Sequence, residues 1–546
     1  MLLIEVHKIK KYFGDRLILD VNNFKIYSED KIGIVGRNGV GKTTLINILS
    51  QNLEPDEGLV KLYGNYSYIS QLEEPNCKNI SNEIASKFGI EPTWNNHMSG
   101  GEKTKFKLAN ALDENSIIIF ADEPTSNVDM EGIELMEEMF GEHKGPLIVI
   151  SHDRSFLDKL CNKILEVEDS KIKIYSGNYT DYKNQKIQEK ERAEFEYEEY
   201  VKEKKRLEGV ISDTKQKVKG MRKTPKRMGN SEARLHKMGP QKAKANLERA
   251  IKNVEKRIEH LEAKEKPNQQ QGIKLDVLDS NKLYSKIIIE GKNITKSFGK
   301  NTIFRNAEFN IYNGSKIALI GPNGCGKSTL IKMIINNEDS IKVAQGAKIG
   351  YFSQDMNILD VNRSIIENVM ESSIYTENFA RLLLARLLFK REDIYKKVSL
   401  LSGGERVKVS FAKIVLQDIN LLILDEPTNY MDIDALEVIE ETLKDYDRTL
   451  LFVSHDRKFV NSVADHIMTI ENHKIKIFAG NYKEYLSEKD KHLNINEEEV
   501  KKQTIILNNR LSEVIGRLSM PSKHDDIEAL DREYHEILGN LKKLGK

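Results

Sequence analysis

The chain repeats one ordered series of motifs, and this duplication constrains its fold more than any other feature of the sequence. GRNGVGKTT at 36–44 recurs as GPNGCGKST at 321–329, an offset of 285 positions. Four further blocks recur 303 positions later in the same order: SGGE (99–102), DEPT (122–125), SHDR (151–154) and, with small changes, KIKIYSGNYTDY (171–182). The repeats predict two homologous domains, and the change of offset before SGGE predicts about one extra helix or loop in the second copy.

The repeats divide the chain into four predicted parts. These are a first domain (1–182), an insert without counterpart (183–285), a second domain (286–485) and a tail (486–546). No apolar run approaches the ~18 residues of a membrane-spanning helix, and the charged N-terminus lacks the apolar core of a signal peptide. Three scattered cysteines cannot form a disulfide framework. We therefore expect a cytoplasmic protein without a membrane segment.

Each domain carries a strand, a Gly-rich loop and a helix start of the form G-x-x-x-x-G-K-[ST], preceded by IGIVG (32–36) or KIALIG (316–321). Such loops hold phosphates because their backbone N–H groups point inward at a helix N-terminus. The predicted nucleotide-binding residues are Gly36, Asn38, Gly39, Gly41, Lys42, Thr43 and Thr44, and Gly321, Asn323, Gly324, Gly326, Lys327, Ser328 and Thr329. The lysines are expected to reach the β- and γ-phosphates of ATP, and Thr43 and Ser328 to ligate Mg²⁺.

Buried strands ending in acids or histidine supply the predicted catalytic groups. SIIIFADE (116–123) and LLILDE (421–426) would place Asp122 and Asp425 on Mg²⁺. The next residues, Glu123 and Glu426, would polarise the attacking water. His152 and His455 end further apolar strands at equal repeat positions, which favours a γ-phosphate contact over a merely exposed histidine.

Two weaker pairs complete the candidate site. Gln71 and Gln354 follow strand-like segments and are candidates for the Mg²⁺ or the attacking water. Phe13 and Phe298 each lie 23 residues before the first glycine of a loop, which is compatible with adenine stacking or with core packing.

This order of motifs resembles the ATP-binding cassette ATPases, and SGGE matches the signature motif of that superfamily. The resemblance covers roughly 1–182 and 286–485. It implies an α/β fold with two P-loop cassettes arranged head to tail and two ATPs between them. Ser402 and Gly404 would complete the site on Lys42, and Ser99 and Gly101 the site on Lys327. Since both sites keep their loop, glutamate and histidine, we predict two hydrolysing composite sites in a monomer. SNVD (126–129) and NYMD (429–432) depart from the NHLD usual in related cassettes, although both retain the aspartate.

The insert is predicted to be a helical hairpin with a basic end. Helices are expected at 183–219 and 241–266, with apolar stripes that include Phe195 and Leu207 on the first. Residues 214–249 contain twelve basic and two acidic residues, a net charge of +10 within a chain whose total is +1. This concentration favours contact with a polyanion over a flexible charged linker. The predicted RNA-contacting residues are Arg222, Lys223, Lys226, Arg227, Arg234, His236 and Lys237.

Two cassettes joined by KTPKRMGNSEARLHKMGPQKAKANLERA resemble the ABC-F family, and in particular its bacterial antibiotic-resistance members. The resemblance implies binding of the 70S ribosome at the tRNA exit site. The linker would then contact 23S rRNA and peptidyl-tRNA and protect the peptidyl-transferase centre from antibiotics. A housekeeping factor of the same family is an alternative, although the arm that many members carry in the first cassette is absent. An ABC transporter module or a DNA-repair ATPase fits less well, because these leave the basic hairpin unexplained or usually add zinc sites or long coiled coils.

The tail is predicted to form two helices broken at MPSK (520–523) and packed through apolar positions. Leu511, Val514, Ile515 and Leu518 are expected to face the second helix, where Tyr534 and Ile537 belong to the predicted contact. A protein-contacting hairpin and a self-packed one remain equally compatible with its balanced charge.

Overall fold

In this computed structural model, the described residues are 1–546 except 71–74, 76, 96, 99, 115, 221–229, 262–263, 265–282, 284, 300, 354–357, 429–430, 520–526 and 545–546.

The strands of the first cassette form two sheets. The first elements are β1 (Leu2–Phe13), β2 (Arg16–Val21), β3 (Phe24–Tyr27), β4 (Lys31–Val35), α1 (Lys42–Leu49), β5 (Glu57–Leu62), β6 (Tyr66–Ile69) and α2 (Asn82–Phe88). They continue with α3 (Gly100–Asp113), β7 (Ile118–Asp122), α4 (Met130–Glu142), β8 (Leu147–Ile150), α5 (Arg154–Leu160), β9 (Lys163–Glu168) and β10 (Lys171–Ser176).

The second cassette repeats this series after the linker. Its elements begin with β11 (Ile287–Phe298), β12 (Asn301–Tyr312), β13 (Lys316–Ile320), α8 (Lys327–Ile335), β14 (Ile341–Val343), β15 (Ile349–Phe352) and α9 (Ile365–Met370). They continue with α10 (Glu377–Arg386), α11 (Gly403–Val415), β16 (Leu421–Asp425), α12 (Ile433–Lys444), β17 (Thr449–Val453), α13 (Arg457–Val463), β18 (His466–Glu471) and β19 (Lys474–Ala479). The extra length before the second SGGE forms α10 and two 3₁₀ turns, Asp393–Tyr395 and Val398–Leu400.

One six-stranded sheet in each cassette positions the motifs. The strand orders are β10-β9-β4-β8-β7-β6 and β15-β16-β17-β13-β18-β19, and only β10 and β19 run antiparallel to their neighbours. The inner strands are rich in Ile, Val and Leu and are buried, as a sheet covered on both faces requires. Because β4, β8 and β7 are adjacent and parallel, the loop, the histidine and the acids that follow them meet at one edge. The α/β fold with two cassettes and a helical linker is thus confirmed.

The linker begins inside the predicted first domain and contains a longer second helix than expected. Its helices are α6 (Tyr179–Gly220) and α7 (Asn230–Glu259). The prediction of a second helix at 241–266 was wrong at both ends, because α7 begins at Asn230 and ends at Glu259. The earlier start follows from the several good helix formers in 230–240, and the helix continues through Pro240. Phe195 is 65% exposed and does not join the stripe, whereas Leu207 and Ile251 are buried.

The tail folds back on itself. Its helices are α14 (Tyr482–Ser519) and α15 (Ile527–Leu544), so the predicted domain boundaries at 182 and 485 both lie within long helices. Val514 and Ile537 are buried with Leu511, Leu518 and Tyr534 around them. Ile515 is exposed, so its predicted contact is wrong. In the described part of the chain, no helix is long and apolar enough to span a membrane.

Candidate nucleotide-binding sites

A cavity of about 870 Å³ lies between the two cassettes, at the first Gly-rich loop. One wall is formed by the loop, Asp122, Glu123 and His152 of the first cassette. The opposite wall is formed by the SGGE segment of the second cassette. From the predicted set it brings together Phe13, Asn38, Gly39, Gly41, Lys42, Thr43, Thr44, Asp122, Glu123, His152, Ser402, Gly404 and His455. The cavity therefore has the composition of a nucleotide site shared by two cassettes.

Both loops adopt a conformation that glycine alone permits at their last turn. Gly41 and Gly326 have φ values of 105° and 111°. A Cβ at Gly41 would lie 2.8 Å from Ile18 Cγ2, and one at Gly326 would lie 2.3 Å from Ile303 Cγ2. Glycine is therefore required at both positions for the loop to close onto the following helix.

The loop lysines are buried and point into the loops. Lys42 Nζ donates to the backbone oxygens of Gly36 at 2.7 Å and Arg37 at 3.1 Å. Lys327 Nζ makes the same contacts to Gly321 at 2.8 Å and Pro322 at 3.1 Å. Burial lowers the pKa of Lys42, although nearby carboxylates including Glu123 oppose this effect. Each ammonium group thus lies where a phosphate chain bound to the loop N–H groups would pass.

The predicted Mg²⁺ ligands lie together in both halves. Asp122 accepts a hydrogen bond from Thr43, and Asp425 accepts one from Ser328. Burial raises the pKa of both aspartates, and the hydroxyl groups and loop lysines oppose that rise. One hydroxyl and one carboxylate fit Mg²⁺, which is usually held by few protein oxygens together with water and nucleotide phosphates.

The side chains of each catalytic candidate pair are only 13–19% exposed and lie close together. The Nε2 atom of His152 lies 3.2 Å from Glu123 Oε1, and that of His455 lies 3.1 Å from Glu426 Oε1. Burial raises the pKa of Glu123 to about 8 and that of Glu426 to about 7. Burial, followed by the loop lysines, lowers the pKa of both histidines to about 3. The imidazoles are therefore neutral at pH 7.

The two glutamates also share an unusual backbone. Their φ values are 51° for Glu123 and 50° for Glu426, in the left-handed region. The backbone N–H of Glu123 donates to Ile150 O at 2.9 Å, and that of Glu426 donates to Val453 O at 3.0 Å. Glu123 Oε1 and Glu426 Oε2 are buried without a hydrogen-bond partner among the described residues, because the Glu123–His152 contact lacks hydrogen-bond geometry. Each carboxylate is thus held on its strand edge with an oxygen free for water.

The signature serine of the second cassette caps a helix that faces the cavity. Ser402 Oγ accepts from Glu405 N at 3.3 Å, and Glu405 Oε2 accepts from Ser402 N at 2.8 Å, which forms a capping box at α11. The positive end of the helix dipole therefore points toward the phosphate region. In the first cassette, α3 begins at Gly100. Ser99, Gln71 and Gln354 lie outside the described residues.

The second loop makes direct contact with the first cassette. Asn323 N donates to Asp129 Oδ2 at 3.0 Å, and Asn323 Nδ2 donates to Asn127 O at 2.8 Å. A Cβ added at Gly101 would lie 2.6 Å from Asn323 Nδ2, so this glycine allows the close approach. Gly101 of the predicted set therefore lies beside the loop of Lys327.

Phe13 and Phe298 occupy equivalent exposed positions. They are 55% and 59% exposed, which excludes core packing at both. Phe13 lines the cavity beside the first loop. The exposed ring is therefore available to a flat ligand there.

Lys408 was missed by the motif reasoning although it lines the cavity. Its Nζ donates to Asp432 Oδ2 at 2.9 Å, and both residues are buried. Asp432 also caps α12, because its side chain accepts a hydrogen bond from Ala435 N. The Lys408–Asp432 pair therefore joins α11 to the start of α12. Lys105 has the same repeat position and lies 3.5 Å from Asp129 Oδ1, a signal that the repeat alignment already contained.

The predicted RNA-contacting residues are not described at the level of side chains. Arg222, Lys223, Lys226 and Arg227 lie outside the described residues. Arg234, His236 and Lys237 lie on α7, whose described side chains begin at Ala243.

Comparisons with known proteins agree with the duplicated site. A family model described as "ABC transporter" matches residues 19–126 and 304–429, one segment in each cassette. The ribosome protection protein VmlR of Bacillus subtilis is 30% identical over 543 residues, covering 97% of this chain and 96% of that protein. The erythromycin resistance ATP-binding protein MsrA of Staphylococcus epidermidis is 33% identical over 474 residues, covering 85% of this chain and 96% of that protein.

A solved structure shares the arrangement of two cassettes. It is the complex of the archaeal ribosomal stalk protein aP1 with the archaeal ribosome recycling factor aABCE1, matched with a TM-score of 0.58 and 19% identity over 88% of this chain and 92% of that chain. At this identity the likeness shows the fold. The family is shown by the relatives matched over most of this chain: the chain belongs to the ABC-F family of ATP-binding cassette ATPases.

Proposed function

We propose that this protein is an ATP-hydrolysing ribosome-binding factor that protects the peptidyl-transferase centre from antibiotics. It acts in the cytoplasm as a monomer, binds the 70S ribosome at the tRNA exit site, and directs its linker toward 23S rRNA and peptidyl-tRNA. The observation that carries this proposal is the likeness to VmlR and MsrA, which extends through both cassettes and, in VmlR, over nearly the whole chain.

At each ATP site the protein positions water and stabilises charge. Glu123 and Glu426 accept a hydrogen bond from the attacking water, and the neutral His152 and His455 donate one toward the γ-phosphate. Thr43 with Asp122, and Ser328 with Asp425, would hold Mg²⁺, which would supply positive charge beside the bound phosphates. Gln71 and Gln354 are proposed to join this shell, and Phe13 and Phe298 to stack on the adenines.

ATP binding favours the closed arrangement of the cassettes, and hydrolysis releases it. In the closed arrangement, Ser402 and Gly404 contact the nucleotide on Lys42, while Ser99 and Gly101 contact the one on Lys327. The ribosome must bind the closed state more tightly than the open state for ATP to control the cycle.

The charge distribution of the linker supports a nucleic-acid partner. Lys215 of α6 pairs with Glu255 of α7 at 3.3 Å, so the first turns of α7 belong to the distal end of the hairpin. The sequence concentrates its net charge of +10 at 214–249, around that end. Backbone phosphates of RNA are the expected counter-charge.

Co-sedimentation with ribosomes tests the proposal. The double variant Glu123→Gln, Glu426→Gln is expected to sediment with 70S ribosomes in the presence of ATP, because the closed state persists without hydrolysis. A matched variant that adds Lys42→Met and Lys327→Met is expected to stay in the supernatant. Absence of the double variant from the ribosomal fraction would refute ribosome binding.

Drug susceptibility separates resistance from a housekeeping role. A strain that lacks the protein is expected to become more sensitive to antibiotics that bind the peptidyl-transferase centre, without a growth defect in their absence. Replacement of Arg222, Lys223, Lys226 and Arg227 by glutamine should reproduce this sensitivity while ATP hydrolysis continues. A growth defect without a change in drug sensitivity would support the housekeeping role instead.

A further inference from the structure

Helix α12 of the second cassette presents an acidic stripe to the first cassette. Asp434, Glu437 and Glu440 are spaced three residues apart, so their side chains lie along one side of the helix. Each faces a cation of the first cassette: Arg37 Nε is 3.6 Å from Asp434, Lys183 Nζ is 2.7 Å from Glu437, and Arg154 Nη2 is 2.8 Å from Glu440.

The three cations belong to three different parts of the first cassette and its linker. Arg37 is in the Gly-rich loop, Arg154 follows His152 by two residues, and Lys183 lies in the first turns of α6. One side of a single helix therefore touches the ATP loop, the catalytic histidine segment and the base of the linker. Movement of α12 relative to the first cassette changes all three contacts together.

A second contact fixes the base of the linker to the same cassette. Tyr179, the first residue of α6, is 1% exposed, and Lys458 Nζ of the second cassette lies 5.5 Å from its ring centroid. Two turns after Tyr179, α6 is attached to its own cassette, because Lys186 Nζ lies 2.8 Å from both Glu166 and Glu168. The start of α6 therefore bridges both cassettes.

The repeat provides an internal control for this bridge. Helix α4 carries the equivalent stripe Glu131, Glu134 and Glu137, and Glu137 pairs with Arg457 as Glu440 pairs with Arg154. The repeat counterparts of the other cations are uncharged: Pro322 for Arg37, Leu486 for Lys183 and Ser155 for Lys458. The duplicated Arg–Glu pairs thus join the cassettes on both sides, whereas Arg37, Lys183 and Lys458 have no charged counterparts, and two of them, Lys183 and Lys458, lie where the linker begins.

We propose that Lys183 and Glu437 are positioning residues that couple closure of the cassettes to the direction of the linker. When the cassettes close on ATP, Glu437 and Lys458 hold the first turns of α6, and Lys186 with Glu166 fixes the next turn to the first cassette. A helix fixed at two points a turn apart has a defined direction, so a small rotation at its base moves its distal end by a larger distance. This inference rests on the proposed ATP-driven closure.

Distance measurements across the full chain test the coupling. Spectroscopic labels at Asn246 of α7 and Lys342 of β14, in a background without cysteine, report the position of the linker relative to the second cassette. In a chain carrying Glu123→Gln and Glu426→Gln, ATP is expected to shift this distance. Lys183→Glu should abolish the shift, and the charge exchange Lys183→Glu with Glu437→Lys should restore it.

The matched control is Lys186→Glu, since Lys186 is on the same helix but pairs only within the first cassette. It should retain the ATP-driven shift, and in the hydrolysing chain Lys183→Glu should keep ATP turnover within about twofold. Persistence of the shift in Lys183→Glu, or its loss in the charge exchange, would overturn the coupling. A chain that turns over ATP without any shift would also overturn it and leave the ATPase standing. Failure to bind ATP would instead refute the proposed function, and the coupling with it.

Discussion

The two nucleotide sites are built from the same motifs but differ in the contacts that join the cassettes beside them. At the first loop, a cavity of about 870 Å³ separates Lys42 from the signature helix of the other cassette. At the second loop, Asn323 donates two hydrogen bonds directly to residues of the first cassette. The motifs that bind nucleotide are therefore duplicated, whereas the contacts that set the distance between the cassettes are specific to each site.

The comparison shows that the duplication preserved the geometry of the motifs and changed the contacts between the cassettes. Loop, aspartate, glutamate and histidine have matching geometry in both halves, including the left-handed backbone at Glu123 and Glu426. At the first loop, Arg37 Nε lies 3.6 Å from Asp434 of the second cassette, whereas the repeat counterpart of Arg37 in the second loop is the uncharged Pro322. We therefore expect the two sites to share their chemistry and to differ in how they open.

The largest effect is expected from the catalytic glutamates. Glu123→Gln and Glu426→Gln should each slow hydrolysis at their own site by ~10²–10⁴-fold, because glutamine cannot act as a general base. Single-turnover measurements with both single variants and the double variant test whether the chemistry is shared. If one single variant hydrolyses both nucleotides at the normal rate, that site does not hydrolyse ATP and the equivalence is broken.

The next largest effect is expected from Arg154 and Arg457, each of which pairs with a glutamate of the opposite cassette. Arg154→Met should destabilise the cassette interface by about 1–3 kcal/mol, because it removes a buried ion pair with Glu440, which keeps Lys444 as a second cation at 3.0 Å. Arg457→Met should have a larger effect, since the carboxylate that it leaves behind, Glu137, is 0% exposed, whereas Glu440 is 10% exposed. Urea unfolding followed through Trp94, the single tryptophan, measures both. A larger loss for Arg154→Met would reverse the expected order.

A pH profile should distinguish the two sites, with activity at the first site lost at the higher pH. The reactive form of each glutamate is the carboxylate, so kcat/KM falls as pH decreases below its pKa. The pKa of Glu123 is raised to about 8 and that of Glu426 to about 7. The Glu426→Gln variant, in which only the first site works, should therefore lose activity at a higher pH than the Glu123→Gln variant. Coincident profiles would contradict this order.

The smallest effect is expected at the direct contact. Asn323→Ala removes the hydrogen bond to Asn127 O and should weaken ATP-dependent closure by about 1 kcal/mol, or roughly fivefold. Arg37→Ala removes the ion pair between the first loop and Asp434 and should have less effect, because both side chains are about half exposed. Equal effects of the two variants on ATP affinity would indicate that both loops contact the opposite cassette equally.

The sequence predicted the strands and motifs that repeat in the two cassettes. It did not predict the contacts that form only when the cassettes pack against each other. Strands ending at Asp122 and His152, and their counterparts, follow from apolar runs interrupted by charge, and adjacent parallel strands bring these ends together. The partners of Lys183 and Arg154 could not be predicted, because Glu437 and Glu440 lie about 250 to 290 positions away and only the packed cassettes bring them close. The start of α7 at Asn230 differs from the predicted start at 241 because Gly239 and Pro240 are local helix breakers, whose effect the surrounding structure can override.

The left-handed backbone of Glu123 and Glu426 implies a trade-off between stability and activity. For a residue other than glycine this conformation costs about 1–2 kcal/mol, and asparagine tolerates it better than glutamate. A protein selected for stability alone would therefore be expected to lose glutamate at both positions. Its presence in each half at nearly the same φ fits the proposed role of both carboxylates in hydrolysis, because a stability cost carried twice is expected where activity requires the side chain.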